Sequence, residues 1–303
     1  MKLRHIRYFL ALAEEGNFTR AARRLGIGQP PLSQQIRDLE DEIGVKLFHR
    51  IPQGAELTDA GHAFLAGVRD MPDRAIAAAK AAQRAARGET GAIRVGFTGS
   101  AAFNPIVPAV IRAYRRRFPD VDLSLREGNS LELVAALGDG QLDAAFLRPD
   151  AVELAGLHAH LLDEERLIAA LPASHPEAGE GAIALSRLAG SAFVLTPRSM
   201  GPSLHEAAVQ ACRDAGFEPT LGQSAPQIAS VLALVAAELG VSLVPSSMRM
   251  AMIQGVNYCE LVDVAPVSHL AIAYRRGELS AAVHHFFREA RIHAGQEPAH
   301  LGE

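Results

Sequence analysis

Gln29, Ser33, Gln34 and Arg37 recur at helical spacing, with Glu40 and Asp41 further along, opposite an apolar stripe of Leu32, Ile36, Leu39 and Ile43. Steps of four, three and four put that stripe on one side of a single helix. Amide, hydroxyl and guanidinium groups in such a row can offer donors and acceptors to base edges in a major groove. Pro30 and Pro31 open the helix, a position where a missing N–H costs nothing. Just before it, Phe18, Ala21, Ala22 and Leu25 form a second apolar face that Gly26 terminates, and Ile27-Gly28 make the turn. Any αα-hairpin with a solvated face shares this amphipathicity. The tight turn, the small Ala21-Ala22 pair that lets helices cross closely, and the two prolines favour a helix-turn-helix that touches DNA.

A second set of chemistry-bearing residues falls at the ends of predicted strands: Thr98-Gly99-Ser100-Ala101, Asn129-Ser130, Phe146-Leu147-Arg148 and Thr196-Pro197-Arg198. The strands are 93–97, the run VDLSLREG and 142–147, with helices over about 105–118 and from Ser130 to 137. That βαβαβ order predicts a parallel sheet with helices on both faces. A second unit follows: strand 192–196, helices 202–215 and 226–239, and strand 241–245. HLAIAYRRG and a helix over about 280–293 close the chain. Open parallel sheets place ligands beyond the carboxyl ends of their strands. Serine hydroxyls and helix N-termini there offer neutral donors to an anion. Ser100 and Ser130 can equally act as helix caps, and Arg148 as half of a structural ion pair.

The two regions differ in charge. Residues 1–90 hold 14 Lys+Arg against 11 Asp+Glu, or +3, and the remaining 213 hold 16 against 23, or −7, for a net −4. A mildly basic head on an acidic body suits sequence reading strengthened by dimerisation rather than by a strong basic patch. Cys212 and Cys259 lack CxxC spacing, which excludes a disulfide framework and a Cys-rich zinc site. His158, His160, His284 and His285 have no spaced partner cluster, so no metal or other cofactor is expected. Neither a GxSxG elbow, a P-loop nor a complete dinucleotide fingerprint occurs, so the expectation is not an enzyme. Glu14 and Glu15 interrupt the N-terminal apolar stretch, and no apolar run is long enough to cross a bilayer. The expected location is cytoplasmic, with no membrane partner.

Between head and body, the stretch 45–57 reads as a hairpin broken by Pro52 and Gly54. It forms a wing whose Arg50 approaches the duplex, with His49 alongside. Thr58 caps the next helix. From there to residue 87 Leu57, Gly61, Phe64, Val68, Met71, Ala75, Ala78, Ala82 and Ala85 fall on alternating steps of four and three, a coiled-coil seam. Roughly thirty residues at 1.5 Å span about 45 Å, and Pro72 should kink them near Val68. Pairing with the same helix of a second subunit covers the seam.

The segment 3–61, with Phe9, AARRL, QPPLSQQIRDLE, GVKLFHR and LTDAG, resembles the N-terminal domain of LysR-type transcriptional regulators over essentially its whole length. The resemblance implies an N-terminal winged helix-turn-helix (1–58) and a long linker, or dimerisation, helix with hinge (59–90). A two-lobed α/β effector domain like periplasmic binding proteins follows (91–303; lobe I about 91–161 and 268–303, lobe II about 162–267). It implies DNA contacts at Gln29, Pro30, Ser33, Gln34, Arg37, Arg50 and Gln53. Gln34 stands where many relatives carry Arg, and Gln53 where a basic residue is common. Two cysteines so placed do not form the close pair with which some family members sense peroxide.

VGFTGSA, the Gly-Asn-Ser turn and LDAAFLRP further resemble regulators of benzoate and chlorocatechol breakdown. In those, hydroxyls at the positions of Ser100 and Ser130, with helix-terminal amides, hold an aromatic carboxylate. The implied effector set is Ser100, Ala101, Ser130, Phe146, Arg148, Pro202, Ser203, Leu204 and Ile228. Phe146, Leu204 and Ile228 would form the apolar wall, and Pro202-Ser203 the second-lobe polar contacts. Implied partners are promoter DNA, a small-molecule effector, a homodimer assembling to a homotetramer, and RNA polymerase for an activator. The competing expectation is a cytoplasmic small-molecule-binding protein of solute-binding fold with no regulatory role.

Overall fold

The computed structural model describes residues 1–52, 54–278 and 280–296; Gln53, one of the expected DNA contacts, lies outside them. The chain divides into two compact units, Met1–Arg84 and Ala85–Glu303.

The first unit contains α1 (Leu3–Glu15), α2 (Phe18–Leu25), α3 (Gln29–Ile43), the hairpin β1 (Phe48–Ile51) and β2 (Gly54–Leu57), and α4 (Asp59–Val68), and α5 (Met71–Ala86) follows. The Asn17 side chain accepts from the backbone N–H groups of Thr19 and Arg20 at 2.9 and 3.1 Å, which starts α2. Gly26 ends it in the left-handed conformation. Phe9 anchors the core, its ring 4.9 Å from Phe64 and 5.2 Å from Phe48, over the buried Leu32, Ile36 and Leu39 of α3. The hairpin pairs Phe48 with Leu57 through Ile51 with Gly54. Thr58 caps α4 by accepting from the Gly61 N–H at 2.9 Å.

The kink expected at Pro72 is a break between two helices: α4 stops at Val68 and α5 restarts at Met71. Proline cannot donate to the Val68 carbonyl, and it is accommodated in the first turn of a new helix. None of the described α5 side chains is buried, and Ile76 is 55% exposed.

In the second unit the order is β3 (Gly91–Phe97), α6 (Ile106–Arg117), β4 (Val121–Glu127), α7 (Ser130–Gly138), β5 (Ala144–Leu147), β6 (Leu157–Pro172), β7 (Ala182–Ile183) and β8 (Ala192–Leu195). Then come α8 (Pro202–Asp214), β9 (Thr220–Ser224), α9 (Ile228–Ala236), β10 (Ser242–Pro245), β11 (Val256–Leu261), β12 (Val267–Arg275) and α10 (Ala281–His293). β3 is parallel to β4 and β5, as the βαβαβ pattern requires. The sheet as a whole is mixed, which corrects the all-parallel expectation. β12 runs antiparallel to β5 and β6, and β10 and β11 run antiparallel to β6.

The 16-residue β6 belongs to both lobes. Its first part pairs with β12, and its last residues pair with β10 and β11. Period-two alternation then splits each lobe's core across the sheet. Ala144 and Phe146 face α6 and α10, while Ala145 and Leu147 face α7. Leu167, Ala169 and Leu171 of β6 pack under α8, and Ile168 and Ala170 under α9.

Candidate functional site

On α3 the side chains of Gln29, Pro30, Gln34 and Arg37 are exposed, on the face opposite the buried Leu32, Ile36 and Leu39. Two of them are linked. Arg37 donates to Gln34 Oε1 at 2.7 Å, and Gln34 Nε2 donates to Asp38 Oδ1 at 2.7 Å. The Gln34 amide is thereby held in one orientation, with its flanking charge on Arg37. Ser33 does not share this exposure: it is 5% exposed and accepts from Gln29 Nε2 at 2.8 Å. The wing residue Arg50 is exposed, its guanidinium 5.3 Å from the centre of the Phe18 ring, so α2 steadies it by a cation–π contact.

Glu40 departs from the outward face expected for it. Its side chain is 7% exposed and accepts from the backbone N–H groups of Leu47 and Phe48 at 2.9 and 3.2 Å, and from Lys46 Nζ at 3.1 Å. The carboxylate is buried because it satisfies two backbone donors where the chain enters β1, and it ties α3 to the β1–β2 hairpin. The helical spacing alone, which puts Glu40 beside Arg37, gave no hint of this inward turn.

In the second unit the strand ends and the N-termini of α7, α8 and α9 meet at a cleft of about 430 Å³, counted to its open mouth. Ser100, Ser130, Arg148, Ser203, Leu204 and Ile228 all line it. The first turn of any helix leaves backbone N–H groups without intrahelical acceptors. At α7 these are partly answered by a reciprocal capping box between Asn129 and Glu132. That makes Asn129, not Ser130, the cap. α8 and α9 have no side-chain cap, so their N-termini offer the cleft open donors and partial positive charge. Thr98 also lines the cleft, and its Oγ1 is shut from solvent with no hydrogen-bond partner.

Arg148 forms the floor. Its Nη2 donates to Glu165 Oε2 at 2.7 Å, Nε to Ser100 Oγ at 2.9 Å and Nη1 to Ser268 Oγ at 3.2 Å. Its backbone N–H donates to Ser130 Oγ at 3.3 Å, and its carbonyl accepts from Ser203 Oγ at 2.9 Å. Arg148 thus makes an internal ion pair, one of the alternatives left open for it, while still lining the cleft. Burial pushes the Glu165 carboxyl up, but Arg148 and hydrogen bonds from Ser247, Arg148 and Asn104 outweigh it and hold it below its ordinary value. With that charge neutralised, the cleft presents hydroxyls and helix termini rather than a free cation.

Three expected effector residues lie outside the lining. Phe146 points into the lobe I core, its ring 5.7 Å from Phe286, because strand alternation turns it toward α10. Ala101 is fully buried in the same core. Pro202 is the buried first residue of α8 and has no N–H to give. Thr98, Gly128, Thr196 and Gln227 join the lining instead. Glu165 was missed because DEE in mid-strand reads as a loop. Its signal in the sequence is the apolar run LIAALP, which begins after Arg166 and is buried in the fold. Among the described residues no group of three His, Cys, Asp or Glu is placed to hold a metal, and no helix is long and apolar enough to cross a membrane.

Comparison with known proteins agrees in both units. Residues 3–62 match "Bacterial regulatory helix-turn-helix protein, lysR family", and residues 86–295 match "LysR substrate binding domain". The chain is 39% identical over 286 residues to the HTH-type transcriptional regulator BudR of Raoultella terrigena, covering 94% of this chain and 99% of BudR. It is 34% identical over 293 residues to the HTH-type transcriptional regulator BenM of Acinetobacter baylyi, covering 96% and 95%. The crystal structure of full-length CbnR complexed with target DNA superposes with a TM-score of 0.84 at 28% identity, over 97% of this chain and 100% of CbnR. The two family matches together span most of the chain, the relatives are matched over nearly their whole length, and the chain belongs to the LysR family of helix-turn-helix transcriptional regulators.

Proposed function

We propose that this regulator reads promoter DNA with Gln29, Gln34 and Arg37 of α3 and with Arg50 of the wing, and that a small organic acid in the inter-lobe cleft switches its output. The observation that carries the effector reading is the buried, unpartnered Thr98 hydroxyl in a cleft onto which two uncapped helix N-termini open. A carboxylate supplies acceptors for such N–H groups and for the serine hydroxyls. Leu204 and Ile228 provide apolar surface for its organic part, aromatic carboxylates being the class that the resemblance of the first lobe favours. The bare α5 supports a dimer formed through this helix, which sets two reading heads on paired half-sites. A homotetramer made of two such dimers, and contact with RNA polymerase at activated promoters, belong to the same reading.

Gel retardation with the native upstream intergenic region tests the DNA half. A folded dimer that fails to retard that fragment at moderate salt would sink it. A thermal-shift screen of benzoate, substituted benzoates and aliphatic acids tests the effector half, because a ligand that binds only the folded form raises its melting temperature. Ser130→Ala should abolish the response to any acid found there and leave retardation intact. Loss of both would make Ser130 purely structural.

A further inference from the structure

Another pocket, of about 600 Å³ counted to its mouth, lies where the chain leaves α5 and enters the second unit. It is lined by Arg87, Glu89, Arg117, Phe118, His285 and Arg288, among others. Three separate segments supply these residues: the stretch after α5, the end of α6, and α10. Close packing brings them together. Gly88 has φ +65°, and a Cβ there would sit 2.6 Å from the Ala282 nitrogen, so the segment after α5 is seated on the first turn of α10. Tyr114 of α6 donates to the Ala282 carbonyl at 3.2 Å, and the His285 ring stacks on Phe118 at 4.6 Å, 9° from parallel.

The charges do not balance. Arg87 pairs with Glu89 at 2.6 Å, and Arg117 with Glu289 at 2.9 Å. Arg288 has no carboxylate partner among the described residues. Its Nε, and Nδ1 of His285, are both shut from solvent without a hydrogen-bond partner. Both residues line the pocket, and buried polar atoms without a partner are few in folded proteins, so an acceptor at this pocket has an unsatisfied guanidinium to answer. Three guanidinium groups against two carboxylates leave one positive charge. Protonation of His285 would supply another.

We propose that this pocket is a second ligand site, for a small polyvalent oxyanion: inorganic phosphate or the phosphate group of a metabolite. Guanidinium forks match the oxygens of such a group, and a dianion balances the spare charge of Arg288 plus the proton that His285 then takes. A monocarboxylate leaves part of that charge unanswered and competes less well with Glu89 and Glu289. The bound anion links Arg87, Arg117 and Arg288, and so fastens the segment after α5 to both α6 and α10.

The His285 ring reports occupancy. In the free protein, burial, then Arg288, Arg117 and His284, hold its pKa below the ordinary 6.5, against a smaller opposing pull from Glu289. Full-length protein should be titrated with inorganic phosphate, and with chloride at matched ionic strength, while the imidazole nitrogens are followed by NMR. Phosphate is expected to raise the His285 pKa and, at tenfold its Kd, the melting temperature by roughly 3–5 °C. Arg288→Gln should remove both effects. Arg87→Gln, on an exposed side chain, should weaken them without threatening the fold. Arg115→Gln, on α6 outside the pocket, should change neither. The proposal is overturned if phosphate acts on His285 no differently from chloride, or if Arg115→Gln costs as much as Arg87→Gln, which would mean general screening.

Discussion

The Arg148 guanidinium meets the Glu165 carboxylate at 2.7 Å with both side chains almost out of water, 2% and 4% exposed. The pair joins the end of β5 to the middle of β6. Through Ser247, whose N–H donates to Glu165 Oε1 at 3.3 Å, it reaches the turn after β10. Ser100, Ser130 and Ser203, which look from sequence like ligand contacts, all hydrogen-bond to Arg148. The cleft floor is therefore a built polar network, and its serines face the cleft because the arginine holds them.

Removing one partner should cost far more than removing both. Arg148→Met strands the Glu165 carboxylate in a dry interior and is expected to destabilise the effector domain by about 3–5 kcal/mol. The double variant R148M/E165M should recover much of that loss. Urea unfolding at pH 7 distinguishes the two, and a double variant no better than the single would show that the charges are not coupled. The pair also sets an acid limit. Because the folded pKa of Glu165 lies below its ordinary 4.5, its stabilisation is present above that value and is lost as pH falls through the folded pKa.

Glu40 makes a similar tie in the first unit. Glu40→Ala leaves the Leu47 and Phe48 N–H groups without their acceptor and should destabilise this unit by about 2–4 kcal/mol. Hydrogen exchange at those two amides in the full-length protein should accelerate far more than exchange in the centre of α1. Unchanged protection at both would show that the wing is held without Glu40.

What could be read in advance follows from how local each cause is. The caps at Thr58 and Gly26 are set by a few consecutive residues and appear where pattern puts them, as does the α3 stripe at Leu32, Ile36 and Leu39; its last expected member, Ile43, is 37% exposed at the helix end. Pro72 was legible as a disturbance but not as a break, because whether a helix bends or restarts depends on packing beyond it. β6 was hidden because Asp163, Glu164 and Glu165 are tolerable in a strand only with partners distant in sequence: Asn104 for Asp163, His269 for Glu164 and Arg148 for Glu165. Phe146 was misplaced by a single step of alternation, since a strand-end residue faces cleft or core according to a register that sequence alone does not fix.

His269 supplies a pH dependence of the opposite sign. The hydrogen bond from its Nδ1 to Asp150 at 2.7 Å, with Glu164 near its Nε2 at 3.4 Å, raises its pKa despite partial burial. A raised pKa means stabilisation that is complete below about 6.5 and fades as pH rises through the folded value. The urea midpoint of the wild type should therefore fall between pH 6 and pH 8 by more than that of His269→Gln. Parallel curves for the two proteins would show that the contact carries no net proton linkage.

Gln34 separates sequence reading from simple attraction, given the proposed DNA face. Its amide is fixed between Arg37 and Asp38, so it is poised to meet one base edge in one orientation. Gln34→Ala removes no charge. It should relax discrimination at a single base pair by about 1–3 kcal/mol while leaving the salt dependence of binding unchanged. Arg50→Gln should do the reverse, weakening all sequences alike and lowering the salt slope by about 1. Fluorescence anisotropy with the native upstream fragment and its single-base variants, at several salt concentrations, measures both. If Gln34→Ala weakens every fragment equally, Gln34 positions the helix and reads no base.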